Sequence, residues 1–177
     1  VGNGAEPQTL DPHRYNLRLE ETILTDLFLG LTAMDAKGNI VPGAARAWTV
    51  SEDGLVWTFS LREGLRWSDG RPLTADDFVY SFRRLLDPDT AASLAYFMYP
   101  LENARAVNAG ELPPSELGAI ATDPHTLTLI LEEPYPHLPE RLLYPTGFAV
   151  PGHLIERVGD DWVKAGNWVG NGAYVLD

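Results

Sequence analysis

The sequence predicts an α+β fold, and three stretches support this prediction. Apolar and polar residues alternate through 55–61, which is the period of a strand with one buried face. Residues 75–86 follow the helical period instead, with one apolar stripe made of Phe78, Val79, Phe82, Leu85 and Leu86. A second alternating region, 118–131, is interrupted by Asp123-Pro124-His125 and predicts a hairpin. Hairpins and helices in this order are typical of an α+β domain.

The composition limits the classes of function. The chain has 177 residues, enough for one domain or two small lobes. It carries 13 Lys and Arg against 25 Asp and Glu, a formal net charge of −12. A field of that sign repels phosphate backbones and anionic lipids, so we expect no nucleic-acid partner. There is no cysteine, which excludes disulfides, thiolate metal sites and cysteine nucleophiles.

The first predicted element is a helix near the start of the chain. An apolar stripe predicts it from about 20 to 31, with Glu20 and Glu21 in its first turn, where acids suit the helix dipole. The following segment, 32–47, is expected to be mostly connecting chain with a turn at 35–38.

A hairpin and a capped helix come next. The runs 47–51 and 55–61 flank an Asp-Gly turn, so they should pair antiparallel. Thr74 is placed to cap the helix 75–86, which an Asp-Pro pair ends. Asp77 stands where a capping box usually carries Glu or Gln, so the pattern leaves its bond back to the cap open.

The second half of the chain is predicted as short elements separated by glycine and proline. In order they are a short helix within 90–99, a helix at about 101–109, the hairpin 118–122 with 126–131, a short helix at 141–144, a helix at 151–158, a glycine-rich bend at 166–172 and a strand at 173–177. No apolar run approaches the ~20 residues that span a bilayer.

Several literal strings resemble one protein family. They are WTFSLR at 57–62, WSDGRPLTADDFVYS at 67–81, EPQTLDPH at 6–13 and NGAY at 171–174. In this order they resemble the family 5 extracellular solute-binding proteins, the receptors of peptide-type ABC importers. The resemblance covers almost the whole chain.

The resemblance implies a fold similar to type II periplasmic binding proteins. We expect a small mixed α/β domain (lobe II) at 33–152, together with part of the first large lobe at 1–32 and 153–177. The second large lobe would be absent, which makes the chain an N-terminal fragment of a longer protein. The two crossings, near 32 and near 152, would then act as the joint. The last strand would present an open edge, which allows self-association.

The resemblance also implies a place for the ligand. In oligopeptide receptors an extended segment after the LDPH string pairs its backbone with the bound peptide, and here that segment is Asn16, Leu17 and Arg18. Asn16 departs from the family, which carries an acidic residue at this position. A ligand-contacting tyrosine aligns with Leu94, and Tyr96 lies close enough in sequence to substitute for it. Arg18 in the cleft would favour an acidic ligand or a free carboxylate, although a solvated arginine before a helix is the competing interpretation.

The residue patterns give little support for catalysis, a metal or a cofactor. The four histidines are scattered without ligand spacing, and we expect them in turns or at the surface. Ser68 and Ser81 have no base nearby in sequence, and Glu132 and Glu133 would point to opposite faces of a strand. We therefore predict no catalytic residue, no metal ligand and no cofactor.

The predicted function is substrate capture for an ABC importer of peptides, by closure of two lobes around the ligand. The expected partners are a peptide and a membrane permease. The expected location is the periplasm or the extracellular face of the cell envelope, with a signal peptide outside this sequence. Three different functions stay open: the same fold with another ligand (murein peptide, dipeptide, nickel complex or oligosaccharide), an interaction module, and a hydrolase that uses a carboxylate pair.

Overall fold

The computed structural model describes residues 6–174. Its main sheet has four antiparallel strands in the order β3-β4-β6-β5, with β3 at Ala45–Val50, β4 at Val56–Leu61, β5 at Ala119–Asp123 and β6 at Thr126–Ile130. Both predicted hairpins are present, and β4 lies between β3 and β6. The α+β prediction is confirmed.

Burial along β4 follows the alternation in the sequence. Trp57, Phe59 and Leu61 are buried on one face, while Val56, Thr58 and Ser60 are only partly covered. Leu127 and Leu129 of β6, and Leu131 after it, extend the same apolar layer. Helix α2, Ala75–Leu86, packs on this layer with Phe78, Phe82, Leu85 and Leu86 fully buried, as its stripe predicts.

Asp77 forms the capping bond that the sequence pattern left open. Its Oδ2 accepts the backbone N–H of Thr74 at 2.7 Å and the Thr74 hydroxyl at 3.3 Å. Burial raises the pKa of Asp77, and the bonds from Thr74 act in the opposite direction. The helix ends at Leu86, and the next residue, Asp87, is extended before proline.

Helix α1 spans Arg18–Leu27, so it begins and ends earlier than the predicted 20–31. Phe28 has φ −130° and ψ 150°, and the chain continues extended because Gly30 and Leu31 accept backbone hydrogen bonds from 43–45. The apolar stripe therefore extends over a helical and an extended part of the backbone. Leu24 and Leu27 are buried side chains of the helix, whereas Phe28 and Leu31 are buried side chains of the extended segment.

The segment predicted as mostly connecting chain contains a small hairpin. Strand β1, Thr32–Met34, pairs antiparallel with β2, Ile40–Pro42, around the predicted turn at 35–38. The strands have three residues each, too few for alternation to identify them.

The remaining elements are shorter than predicted or lie at other positions. Single 3₁₀ turns, Pro88–Thr90 and Ala95–Met98, replace the helix within 90–99, and α3, Ala104–Asn108, is the middle of the predicted 101–109. Helix α4 spans Leu138–Arg141, so it ends at the residue where the predicted helix, 141–144, begins. Pro139 suits a first helical turn, and Pro145 disfavours helix at Tyr144. Helix α5, Gly152–Val158, agrees with the prediction.

The bend at 166–172 lies against the end of α1. The side-chain amide of Asn171 forms hydrogen bonds with both backbone groups of Leu29. Its Oδ1 accepts the N–H at 3.0 Å, and its Nδ2 donates to the carbonyl at 3.0 Å. Gly172 N–H donates to the Leu27 carbonyl at 3.0 Å. A Cβ at Gly172 would lie 2.4 Å from the Leu27 carbonyl carbon, so only glycine fits here. Most of the predicted strand at 173–177 lies outside the described residues.

Candidate functional site

The candidate ligand segment is held in place by Glu20, which is fully buried. Its Oε2 accepts the backbone N–H groups of Asn16 and Leu17, both at 3.1 Å. Its Oε1 accepts those of Gln8 and Thr9 at 2.8 and 3.0 Å. Burial acts to raise the pKa of Glu20, but these four hydrogen bonds hold the pKa below its usual value. The carboxylate is therefore ionised and fixes the shape of the segment.

Two backbone groups of the segment remain without a partner among residues 6–174: the Asn16 carbonyl and the Arg18 N–H. The Leu17 N–H is bonded to Glu20, and the Leu17 carbonyl accepts the N–H groups of Glu20 and Glu21 at the start of α1. Leu17 itself is extended, with φ −109° and ψ 139°. In an extended chain, C=O of one residue and N–H two residues later point to the same side, which is the pattern that an added strand requires.

The five predicted site residues line one cavity of about 430 Å³, which we call the smaller cavity. Asn16, Leu17 and Arg18 form one side of it, and Leu94 and Tyr96 form another. Asn16 and Arg18 have exposed side chains, and the Tyr96 ring is 52% exposed. The structure thus brings together residues almost 80 positions apart in sequence. Their role in binding stays a prediction.

A larger cavity of about 850 Å³ adjoins the first and shares Glu21, Phe97 and Tyr144 with it. Its walls come from α1, the β1–β2 hairpin and the segment 135–148. The sequence patterns did not identify this cavity. Its aromatic residues are far apart in the chain, and no motif spacing connects them.

Arg141 lines the larger cavity and lies close to two aromatic rings. Its guanidinium carbon is 5.0 Å from the ring centre of Phe97 and 5.4 Å from that of Tyr135. Its Nη2 donates to the Tyr135 hydroxyl at 2.7 Å. A guanidinium close to aromatic rings favours planar, bidentate partners such as carboxylates.

A buried charged cluster joins the N-terminal segment to α2. Arg84 donates to both oxygens of Asp11, at 3.1 and 2.6 Å, and its Nη1 lies 2.9 Å from Nδ1 of His13. Burial alone would raise the pKa of Asp11, but Arg84 and His13 lower it. Burial lowers the pKa of His13 to about 3, and Arg84 acts in the same direction. His13 lies in a turn, as expected, but it is buried, with only 1% exposed. The expectation of a turn or surface position is wrong for His153, which lies in the helix Gly152–Val158 and is partly buried.

Ser68, Ser81 and His153 use their side chains in hydrogen bonds within the fold. Ser68 Oγ accepts the Gly170 N–H at 3.2 Å, and Ser81 Oγ donates to the Asp77 carbonyl at 2.6 Å while accepting the Val150 N–H at 2.8 Å. His153 Nε2 lies 2.9 Å from Oδ2 of Asp69. Within residues 6–174, His, Asp and Glu form no group of three suited to a metal ion, and no helix is long and apolar enough to cross a membrane.

Comparison with known proteins gives close relatives. The chain is 44% identical to the probable deoxycholate-binding periplasmic protein of Escherichia coli, over 99% of this chain and 33% of that protein. It is 44% identical to the periplasmic oligopeptide-binding protein OppA of Salmonella typhimurium, over 98% of this chain and 32% of that protein. The chain thus spans about a third of the length of these relatives.

Solved structures give the same fold. The complex of Haemophilus influenzae OppA with the peptide RPPGFSPFR superposes with a TM-score of 0.95 at 40% identity, over 99% of this chain and 34% of that one. The murein tripeptide-binding protein MppA of Escherichia coli gives 0.93 at 42% identity, over 97% and 34%. The fold is that of type II periplasmic binding proteins, as the resemblance implied. The relatives are substrate-binding proteins, named as periplasmic where their location is given.

The family comparison agrees with both results. The sequence model of the bacterial extracellular solute-binding proteins, family 5 Middle, matches residues 39–177. The chain belongs to the family 5 bacterial extracellular solute-binding proteins.

Proposed function

We propose that the chain is part of the substrate-binding component of a peptide-type ABC importer, and that it binds the peptide through the backbone of 16–18. The observation that supports this most directly is a pair of backbone groups without a hydrogen-bond partner among residues 6–174, the Asn16 carbonyl and the Arg18 N–H, beside a cavity of about 430 Å³. Backbone pairing gives affinity without reading side chains, which suits a receptor for varied peptides. Relatives named as oligopeptide-binding and murein peptide-binding proteins support the ligand class.

In this proposal the peptide lies in a cleft between two lobes. Residues 1–32 and 153–177 belong to the first lobe, 33–152 form the small domain, and the joint lies near 32 and 152. The contacts between Asn171 and Leu29 support the grouping of the two terminal segments. The second large lobe would come from sequence outside the 177 residues and would close over the ligand.

The remaining parts of the proposal follow from the relatives. The permease of the importer is the partner, the location is the periplasm or the outer face of the envelope, and the protein carries out no chemical step. Self-association through the open edge has no support among the relatives and stays a prediction.

The name of one relative supports a second class of ligand. One relative that is 44% identical is named as probably deoxycholate-binding, so a bile acid is a rival ligand for the same fold. Murein peptides and dipeptides also have relatives that are named for binding them.

Arg18 allows a sharp test because it is the first residue of α1. Proline is well tolerated at that position, and the extended Leu17 is compatible with a following proline. Arg18→Pro therefore removes the backbone N–H with little change to the helix, whereas Arg18→Ala removes the side chain and keeps the N–H. Calorimetry with di- to pentapeptides, on the protein at its natural length, should show about tenfold weaker binding for Arg18→Pro alone.

The result distinguishes the two modes of recognition. Equal losses in Arg18→Pro and Arg18→Ala would mean that the side chain, not the backbone, holds the ligand. Native mass spectrometry of the same protein, purified without refolding, identifies the bound molecule; a co-purified non-peptide ligand, with no binding of any peptide, would reject the proposed function.

A further inference from the structure

We propose that the larger cavity is a second binding compartment, which takes a carboxylate carried on an apolar body, with Arg141 as its anchor. The smaller cavity and the backbone of 16–18 are not needed for this interaction. The inference therefore goes beyond peptide capture by backbone pairing.

The guanidinium of Arg141 has little to bind within the described chain. Its one side-chain hydrogen bond runs from Nη2 to the Tyr135 hydroxyl, and it forms no ion pair with a carboxylate of residues 6–174. The rings of Phe97 and Tyr135 lie near its guanidinium carbon, with ring centres at 5.0 and 5.4 Å. The remaining N–H donors lie in the guanidinium plane, where a carboxylate can accept two of them.

The rest of the cavity is mainly apolar. Its walls include Phe28, Leu29, Met34, Ile40, Leu143 and Phe148. Met34 is 61% exposed, which is unusual for a side chain of this type and leaves apolar surface for a ligand to cover. The volume of about 850 Å³ lies in the range of sites for drug-sized ligands and exceeds what one peptide side chain needs.

The other charged groups of the cavity leave Arg141 as the anchor for an anion. Glu140 is bonded to His137, with Oε2 3.1 Å from Nδ1. Glu21 lies in the part shared with the smaller cavity, which Arg18 also lines. A ligand with one carboxylate therefore binds with its charge at Arg141 and its apolar body along the hairpin side.

The test uses simple amphipathic acids, 4-phenylbutyrate and decanoate, together with their uncharged primary amides. Binding is measured by calorimetry on the protein at its natural length, after circular dichroism confirms folding. Arg141→Gln removes the proposed anchor. Arg105→Gln is the matched control, because Arg105 also stacks on a tyrosine, 4.7 Å from the ring centre of Tyr99, but lines neither cavity. Arg18→Gln tests the competing arginine.

The expected result is that the acids bind at least about tenfold more tightly than the amides, and that Arg141→Gln alone removes this difference. Arg105→Gln should behave as the unchanged protein. Equal binding of acids and amides, loss of the preference in Arg18→Gln instead, or no binding of the acids would each overturn the inference. Peptide binding is measured in the same variants; its failure would reject the proposed function without affecting the result for the acids.

Discussion

At the scale of single residues, the candidate site depends on a carboxylate that no ligand needs to touch. Glu20 accepts four backbone N–H groups from two separate stretches, 8–9 and 16–17. In doing so it satisfies the inward-facing donors of the ligand segment. The outward groups of Asn16 and Arg18 are then the ones left for a partner.

Replacing Glu20 with glutamine should destabilise the protein and loosen this segment. One carboxylate oxygen becomes an NH₂ group, which cannot accept, so two buried N–H donors lose their partner at a cost of about 1–3 kcal/mol. Urea denaturation measures the loss, and hydrogen exchange should speed up at Asn16 and Leu17 or at Gln8 and Thr9. The neighbouring Glu21→Gln is the control. A Glu20→Gln protein as stable and as slowly exchanging as the control would contradict this role.

His13 should make the stability of the protein fall as the pH is lowered below 6.5. In the unfolded chain it gains a proton near pH 6.5, whereas in the folded protein burial and Arg84 delay protonation to about pH 3. The unfolded state therefore binds more protons between these values, and folding free energy is lost at up to about 1.4 kcal/mol per pH unit. Asp77, with its raised pKa, acts in the opposite direction at the acidic end.

The comparison that isolates His13 is urea denaturation between pH 6.5 and 5. His13→Asn, which keeps an acceptor for Arg84 but does not titrate, should flatten the slope. His125→Asn, at an exposed turn, should leave it unchanged. The same slope in His13→Asn as in the unchanged protein would assign the pH dependence to other groups.

Resemblance and local pattern differ in what they reveal at this scale. Asn16, Leu17, Arg18, Leu94 and Tyr96 were reached by resemblance, and they line one cavity. Arg141 was not found, because its importance comes from Phe97 and Tyr135, which only the tertiary fold places beside it. Likewise, buried His13 contacts Arg84, which is 71 positions away in the sequence.

At the scale of elements, α2 and the two hairpins of the main sheet were predicted correctly, whereas the bounds of α1 and of most short elements were not. Helix α2 has the predicted bounds, 75–86, because capping residues, apolar stripe and an Asp-Pro stop all agree. Helix α1 ends early because the backbone of 29–31 is paired with Asn171 and with 43–45. Those partners are too far away in the sequence for a local pattern to include them. The apolar periodicity therefore predicted a helix that is too long.

The bend at 166–172 should depend on the side chain of Asn171. Asn171→Ala leaves the N–H and carbonyl of Leu29 without their partner, which should cost about 1–3 kcal/mol. Urea denaturation measures the stability, and hydrogen exchange at Leu29 should become faster. This result would show that the contact between the two terminal segments contributes to folding.

Asn167→Ala is the matched control for Asn171→Ala. It removes the same side chain four positions earlier, where Asn167 makes one local bond to the Asp161 carbonyl at 3.1 Å. Its effect should be smaller, and exchange at Leu29 should not change. Equal effects in the two variants would mean that the bend is not anchored through Leu29.

At the scale of the whole molecule, the formal net charge of −12 acts on every ligand that approaches. A field of this sign attracts cations and repels anions over distances that salt controls. Single arginines such as Arg18 and Arg141 act only on a ligand in contact with them. At long range the field should slow the association of acidic ligands, whereas at contact the arginines should favour them. Acidic ligands should therefore associate slowly but bind well once they are in the site.

Association rates of three matched peptides, Ala-Lys-Ala, Ala-Ala-Ala and Ala-Glu-Ala, should reveal this field if the protein binds peptides as proposed. Raising the salt from about 10 to about 150 mM shortens the Debye length from about 30 to about 8 Å. The association rate should then fall several-fold for the lysine peptide and rise for the glutamate peptide, with little change for the neutral one. Stopped-flow fluorescence measures these rates, and dissociation rates should stay nearly constant. The same salt dependence for all three peptides would show that the field at the site differs in sign or size from the one that the net charge implies.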